Sequence, residues 1–312
     1  MIKKIKDFFL EMLCAPTGAA LTVFAIMLLL SLFNLINSVL LFQSNAWMLL
    51  MLPISFLLPF FMFRASRGGS KYLPTQHLSF PSRIHIPTII FSSALLISGS
   101  LLLKLLSYNG KYTEFSMYSA FFAHRNGNVW NDMYLLCAFC LIPPILEGLV
   151  FRGILIKEHE RRGRLTATVF SSLFFALLSF NSEELLPRFF IGALLCIVLF
   201  ATDSIFVTVT MHIAYNIFAV FFEPTLISIK NVSSNFELFA FITAIFTFVM
   251  AIFLFSHLSR LYKKYSHDKF GENFIKSTPR ERTFWHLCEL LLSIPAIACY
   301  FIFIIVALII QF

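Results

Sequence analysis

Residues 12–63 read MLCAPTGAALTVFAIMLLLSLFNLINSVLLFQSNAWMLLMLPISFLLPFFMF, without one Asp, Glu, Lys, Arg or His. A single bilayer crossing takes about 20 apolar residues, so this run has room for two. The rest of the 312-residue chain has the same character, 59% hydrophobic and 13% charged. Soluble domains are about 45–50% apolar and about 25% charged, which excludes that class along with disordered, collagenous and disulfide-scaffold proteins. Forty phenylalanines add lipid-facing bulk. Nine apolar spans can be drawn, near 17–42, 47–63, 86–106, 133–151, 166–180, 188–200, 204–222, 238–258 and 287–311. The expected fold is all-α: a polytopic membrane helical bundle of eight or nine transmembrane helices, forming one membrane domain over residues 1–312.

The net charge of +8 would suggest nucleic acid in a soluble protein. Here the cations follow the positive-inside rule instead, and no nucleic-acid partner is expected. With the N-terminus cytoplasmic, Lys3, Lys4 and Lys6 lie inside. So do Arg64, Arg67, Lys71 and Arg83, then Arg152, Lys157, Arg161, Arg162 and Arg164. Arg260, Lys263, Lys264, Lys269, Lys276, Arg280 and Arg282 fill the last inside loop, making 19 of the 24 Lys and Arg. Lys111, Arg125, Arg188 and Lys230 are left outside, and Lys104 lies near an outer helix end. The expected setting is a bacterial plasma membrane crossed several times.

Spans five and six are short for a 30 Å core, and the connection at Ala201–Asp203 is brief and carries no cation, so spans five to seven are expected to be tilted, broken or partly buried in the bundle. Short segments of this kind suit a protein-lined interior better than a lipid-facing surface. At Met1–Pro16, Ile5, Phe8, Phe9 and Met12 share a face, which fits an interfacial amphipathic helix rather than a signal peptide, because Asp7 and Glu11 interrupt the apolar run. Cys137 and Cys140 form a CxxC without a second pair or a nearby histidine, so they read as helix-packing residues and no metal or cofactor is expected.

Polar side chains inside spans are costly and mark candidate sites. Glu147 lies in PPILEGLVFRG, residues 143–153, near the cytoplasmic end of span four. His212 and Asn216 lie four apart in span seven, stacked on one helix face. Taken singly, each could simply bond neighbouring helices.

In order, these segments resemble the motifs of the CPBP family, the CAAX-protease and bacteriocin-processing intramembrane peptidases. PPILEGLVFRG is similar to the first motif, Glu-Glu-x-x-x-Arg, with Gly148 at the second glutamate and Arg152 at the arginine. Ser171–Ser179 is similar to the second, Phe-x-x-x-His, with Ser179 where the histidine belongs. His212–Asn216 is similar to the third, His-x-x-x-Asn. The resemblance spans roughly residues 132–222. It implies that Glu147 activates a water as general base, that Ser179 stands where a water-holding group belongs, and that His212 and Asn216 stabilise the oxyanion. Burial would raise a carboxyl pKa toward what a general base needs. On an α-helix, Gly148 also leaves Arg152 without its facing carboxylate, so Arg152 must find another acceptor or snorkel to the surface.

Glu183–Arg188 matches Glu-Glu-x-x-x-Arg literally, but it follows the second motif, and Pro187 reads as breaking any Glu184–Arg188 pairing, so it is taken as an outer loop. Two functions fit: an endopeptidase acting on a membrane-associated or prenylated peptide, or an inactive relative serving in bacteriocin self-immunity or as a membrane scaffold. Membrane lipids and a membrane-associated peptide or protein are the expected partners. In a background without native cysteines, single cysteines at Ser66 and Lys264 should be shielded from a membrane-impermeant thiol reagent in intact cells, and one at Asn231 should react. Labelling of position 264 from outside would overturn the nine-span topology.

Overall fold

The computed structural model describes residues 18–40, 45–68, 77–107, 125, 127–160, 163–223, 226, 236–270, 284, 287–288 and 290–311. The expected interfacial helix at Met1–Pro16, Cys14 and most of the polar segments 107–131 and 259–286 lie outside these residues or among their undescribed side chains. In chain order the helices are α1 (Gly18–Leu40), α2 (Asn45–Ser66), α3 (Ile86–Ser107), α4 (Val129–His159), α5 (Arg164–Leu177), α6 (Leu185–Thr202), α7 (Ile205–Phe221), α8 (Phe236–Phe270) and α9 (Ile294–Gln311). The fold class is all-α, as expected; among the described residues the isolated bridge between Leu78 and Ser204 is the one β feature.

The nine expected spans each meet an apolar helix, but the span count is lower than eight or nine. Among the described residues, four helical runs are long and apolar enough to cross a membrane: Arg83–Ser107, Val129–His159, Leu185–Thr202 and Phe236–Leu261. Of the other five apolar helices, α1, α2 and α9 run 23, 22 and 18 residues, and α5 and α7 are shorter, at 14 and 17. Local backbone accounts for the two short ones. Gly163, at φ 130°, opens α5, and Phe180, at φ 50°, follows its end. Only glycine adopts the former without strain. At the start of α7, Asp203 takes φ 54° and its N–H returns to the Leu199 carbonyl at 2.8 Å, closing α6 in two residues.

The chain divides into two compact units, one of Met1–Gln76, Leu146–Ser182 and Ser277–Phe312, the other of His77–Ile145 and Glu183–Lys276. In the first, α1 packs against α2 and α9, and the C-terminal part of α4 packs against α5. Arg67, just past α2, donates to Glu158 at 2.7 Å, joining two of the expected inside segments.

In the second unit, α3 is the hub: α8, α6 and α7 all pack on it. Its Gly99 permits the close approach of α6, since a Cβ there would meet the Phe190 ring at 2.6 Å. The segment entering α3 is tied to the α6–α7 turn: His77 pairs with Asp203, Ser204 donates to the Ser79 carbonyl at 2.6 Å, and Ile205 N–H bonds the His77 carbonyl at 2.9 Å. On α8, Phe241, Phe248 and Phe253 are exposed, as lipid-facing side chains should be. Gly99→Val is expected to lower the stability of the solubilised protein by about 1–3 kcal/mol, the usual cost of overpacking. Adding Phe190→Leu should recover part of that loss in the same unfolding assay.

Candidate active site

The first candidate residues stand where α4 changes its winding. Residues Cys137–Leu141 and Gly148–Leu155 are π-helical, separated by the α-helical Ile142–Glu147. A π-helix bonds five residues back, and such stretches cluster at functional positions. Neither stretch is visible in the apolar pattern. Glu147, 9% exposed, closes the α-helical piece, and Gly148 opens the second π stretch. Residues five apart come close to alignment in a π ladder, as residues four apart do in an α-helix. The winding from Glu147 to Arg152 is therefore not that of a regular α-helix.

Arg152 does not snorkel. It is 2% exposed, and its guanidinium carbon lies 4.7 Å from the centre of the Phe175 ring on α5. A cation over a desolvated aromatic face gains about 2 kcal/mol or more. The neighbouring Phe151 ring meets Phe175 edge-on at 5.5 Å, and Ser171 donates to the Phe151 carbonyl at 2.9 Å. The helix α5 thus supplies both an aromatic face and a hydroxyl donor to the rewound backbone.

Ser179 follows α5 in the same unit. Its hydroxyl lies 2.8 Å from the Ala176 carbonyl and 3.1 Å from that of Asn181, and it accepts from Asn181 N–H at 3.3 Å. Those bonds close the turn that ends the helix, a local use typical of serine.

His212 and Asn216 belong to the second unit, on α7, at 4% and 3% exposure. Asn216 donates from Nδ2 to the Phe139 carbonyl of α4 at 3.2 Å. The Tyr215 ring lies 6.4 Å from that of His212. Residues 128–218 match the family model of type II CAAX prenyl endopeptidases, described as Rce1-like. That match contains the segment with Glu147 and Arg152, Ser179, and the pair His212 and Asn216. No curated protein and no solved structure matches the chain.

Within the family-matched segment and beside it lies a polar cluster that the sequence reading missed. Lys104 of α3 reaches Glu223, just past α7, at 2.5 Å and Glu184, just ahead of α6, at 3.6 Å. Glu223 is 2% exposed. Glu184 also accepts from Arg188 at 2.9 Å, so the pairing expected to be broken by Pro187 does form. Pro187 falls in the first turn of α6, where a backbone N–H has no helical acceptor and its loss costs nothing. Burial pushes the Glu184 carboxyl up, but Lys104 and Arg188 outweigh it and hold the group down at about 2. Burial raises the Glu223 carboxyl above its ordinary range, against the pull of Lys104. The available signal was Lys104 itself, a lone cation within an apolar span.

This cluster ties together the ends of α3, α6 and α7, the last of which carries His212. Lys104→Met is expected to destabilise the protein by about 3–5 kcal/mol, because it leaves a buried carboxylate without its cation. Lys104→Met combined with Glu223→Leu should cost less than Lys104→Met alone, as read from thermal unfolding in detergent.

Proposed function

We propose that the chain is an intramembrane endopeptidase in which Glu147 serves as general base, deprotonating the water that attacks a peptide bond of a membrane-associated or prenylated peptide. The family match over residues 128–218 carries this reading. His212 acts on the charge that develops on the carbonyl oxygen, as a preorganised donor does in a water-poor site, with Asn216 one turn further along α7. The proton taken by Glu147 passes to the leaving amine. Glu147 is buried, 9% exposed, where few waters compete for its carboxylate. The setting is a bacterial plasma membrane, with the N-terminus in the cytoplasm.

A second reading has a specific observation behind it. Ser179 is bonded within its own turn and Gly148 carries no carboxylate, which would suit a non-catalytic relative acting in bacteriocin self-immunity or as a scaffold. The two readings part at one substitution. Glu147→Gln keeps size and hydrogen bonding and removes the base, so cleavage of a prenylated reporter peptide in membranes should fall by about 10²–10⁴-fold. Ser179→Ala should retain most of the activity. Full cellular function in Glu147→Gln would reject the peptidase and favour the scaffold.

A further inference from the structure

Pro143 and Pro144 lie inside the membrane run Val129–His159, where each removes one backbone donor. The Phe139 carbonyl is four residues before Pro143 and five before Pro144. The α-helical donor to that carbonyl would be residue 143, and the π-helical donor would be residue 144. Neither has an N–H. In hydrocarbon no water replaces such a donor, and an unsatisfied backbone group costs several kcal/mol. Asn216 Nδ2 donates to this very carbonyl at 3.2 Å, with Asn216 3% exposed.

The contact is embedded in apolar packing. Leu135, Phe139, Cys140 and Val220 form one buried cluster, and Val220 lies one turn beyond Asn216. His212 lies one turn before it. These three positions of α7 therefore share a stripe at four-residue spacing. The hydrophobic contacts alone tolerate sliding along that stripe; a hydrogen bond to one carbonyl does not.

We propose that Asn216 is a positioning residue: it stands in for the backbone donor that Pro143 and Pro144 remove, and so fixes the axial register of α7 and the place of His212. The effect on catalysis rests on the peptidase reading; the anchoring of α7 does not. A slip of one helical turn is about 5.4 Å, enough to carry His212 out of reach of any reacting oxygen.

The test is a double-mutant cycle in the full chain, with thermal unfolding and reporter-peptide cleavage read side by side. Asn216→Leu removes the side-chain donor, and Pro143→Ala returns a backbone N–H at the α-helical donor position. Asn216→Leu should lower Tm and should lower kcat more than tenfold, with a smaller change in KM. In the Pro143→Ala background the same substitution should shift Tm far less and leave kcat within about threefold of Pro143→Ala alone. Pro144→Ala is the parallel arm for a π-helical donor. If Asn216→Leu does not accumulate, accumulation of Asn216→Leu/Pro143→Ala is the rescue to be read, and failure of rescue in both proline backgrounds overturns the proposal. Undiminished loss of kcat with Tm rescued would instead make Asn216 a direct donor to the reacting oxygen and overturn the positioning role. If wild type and Glu147→Gln are equally inactive, the peptidase reading fails by itself, and coupling in Tm still decides whether Asn216 replaces the missing donor.

Discussion

A backbone carbonyl surrounded by hydrocarbon has nothing to bond except the protein. That constraint accounts for the continuous helices and for what happens wherever a helix departs from α geometry. Thr22, Ser55, Thr168, Ser172, Thr202 and Thr243 each return a hydroxyl to the carbonyl four residues back, which satisfies a polar side chain without leaving the helix. The demands are sharper along α4, where prolines and rewound backbone interrupt the ladder. There the donors come from other helices: Asn216 to the Phe139 carbonyl and Ser171 to the Phe151 carbonyl. Each rewound stretch thereby gains a specific neighbour.

The same constraint governs charge. A lone lysine in an apolar span is costly, and Lys104 is accommodated because two carboxylates meet it from the adjoining helix ends. Arg152 is accommodated differently, over the Phe175 ring. A planar guanidinium stacks on an aromatic face and is less strongly hydrated than an ammonium, so the two cations are not interchangeable in these settings. Buried ionic groups of this kind favour one arrangement of helices over near-equivalent apolar packings, in which sliding costs little.

Hydropathy alone located the apolar helices among the described residues and the shortness of span five, but not that of span six, because α6 runs from Leu185 to Thr202 and is long enough to cross. It could not say which of those helices reach the full length of a crossing, since Gly163 and Phe180 bound α5 and Asp203 closes α6 through backbone angles. The motif residues were readable as residue types at α-helical spacings. The π stretches were not, because hydrogen-bond register depends on which donors and acceptors the neighbouring helices provide. That gap bears on Arg152, whose facing partner is read from the sequence on regular α-helical geometry. Pro187 misled the sequence reading: proline disrupts a helix interior but is harmless in a first turn, and the outcome turned on where α6 begins.

Gly148 and the π stretch it opens belong to one local solution. A second carboxylate at 148 would enter the rewound segment as an additional buried charge, beside an Arg152 already engaged with Phe175. With glycine there, no side chain enters the packing at that step, and the segment keeps a single carboxylate, Glu147, at the point where winding changes. Glu147 thus stands at a junction rather than in the middle of a regular helix. Its neighbours on the C-terminal side are held from outside the helix, by Ser171 at the Phe151 carbonyl and by Phe175 at Arg152. The main chain that follows Glu147 is thus held from outside its own helix, which suits the general-base role proposed for that residue.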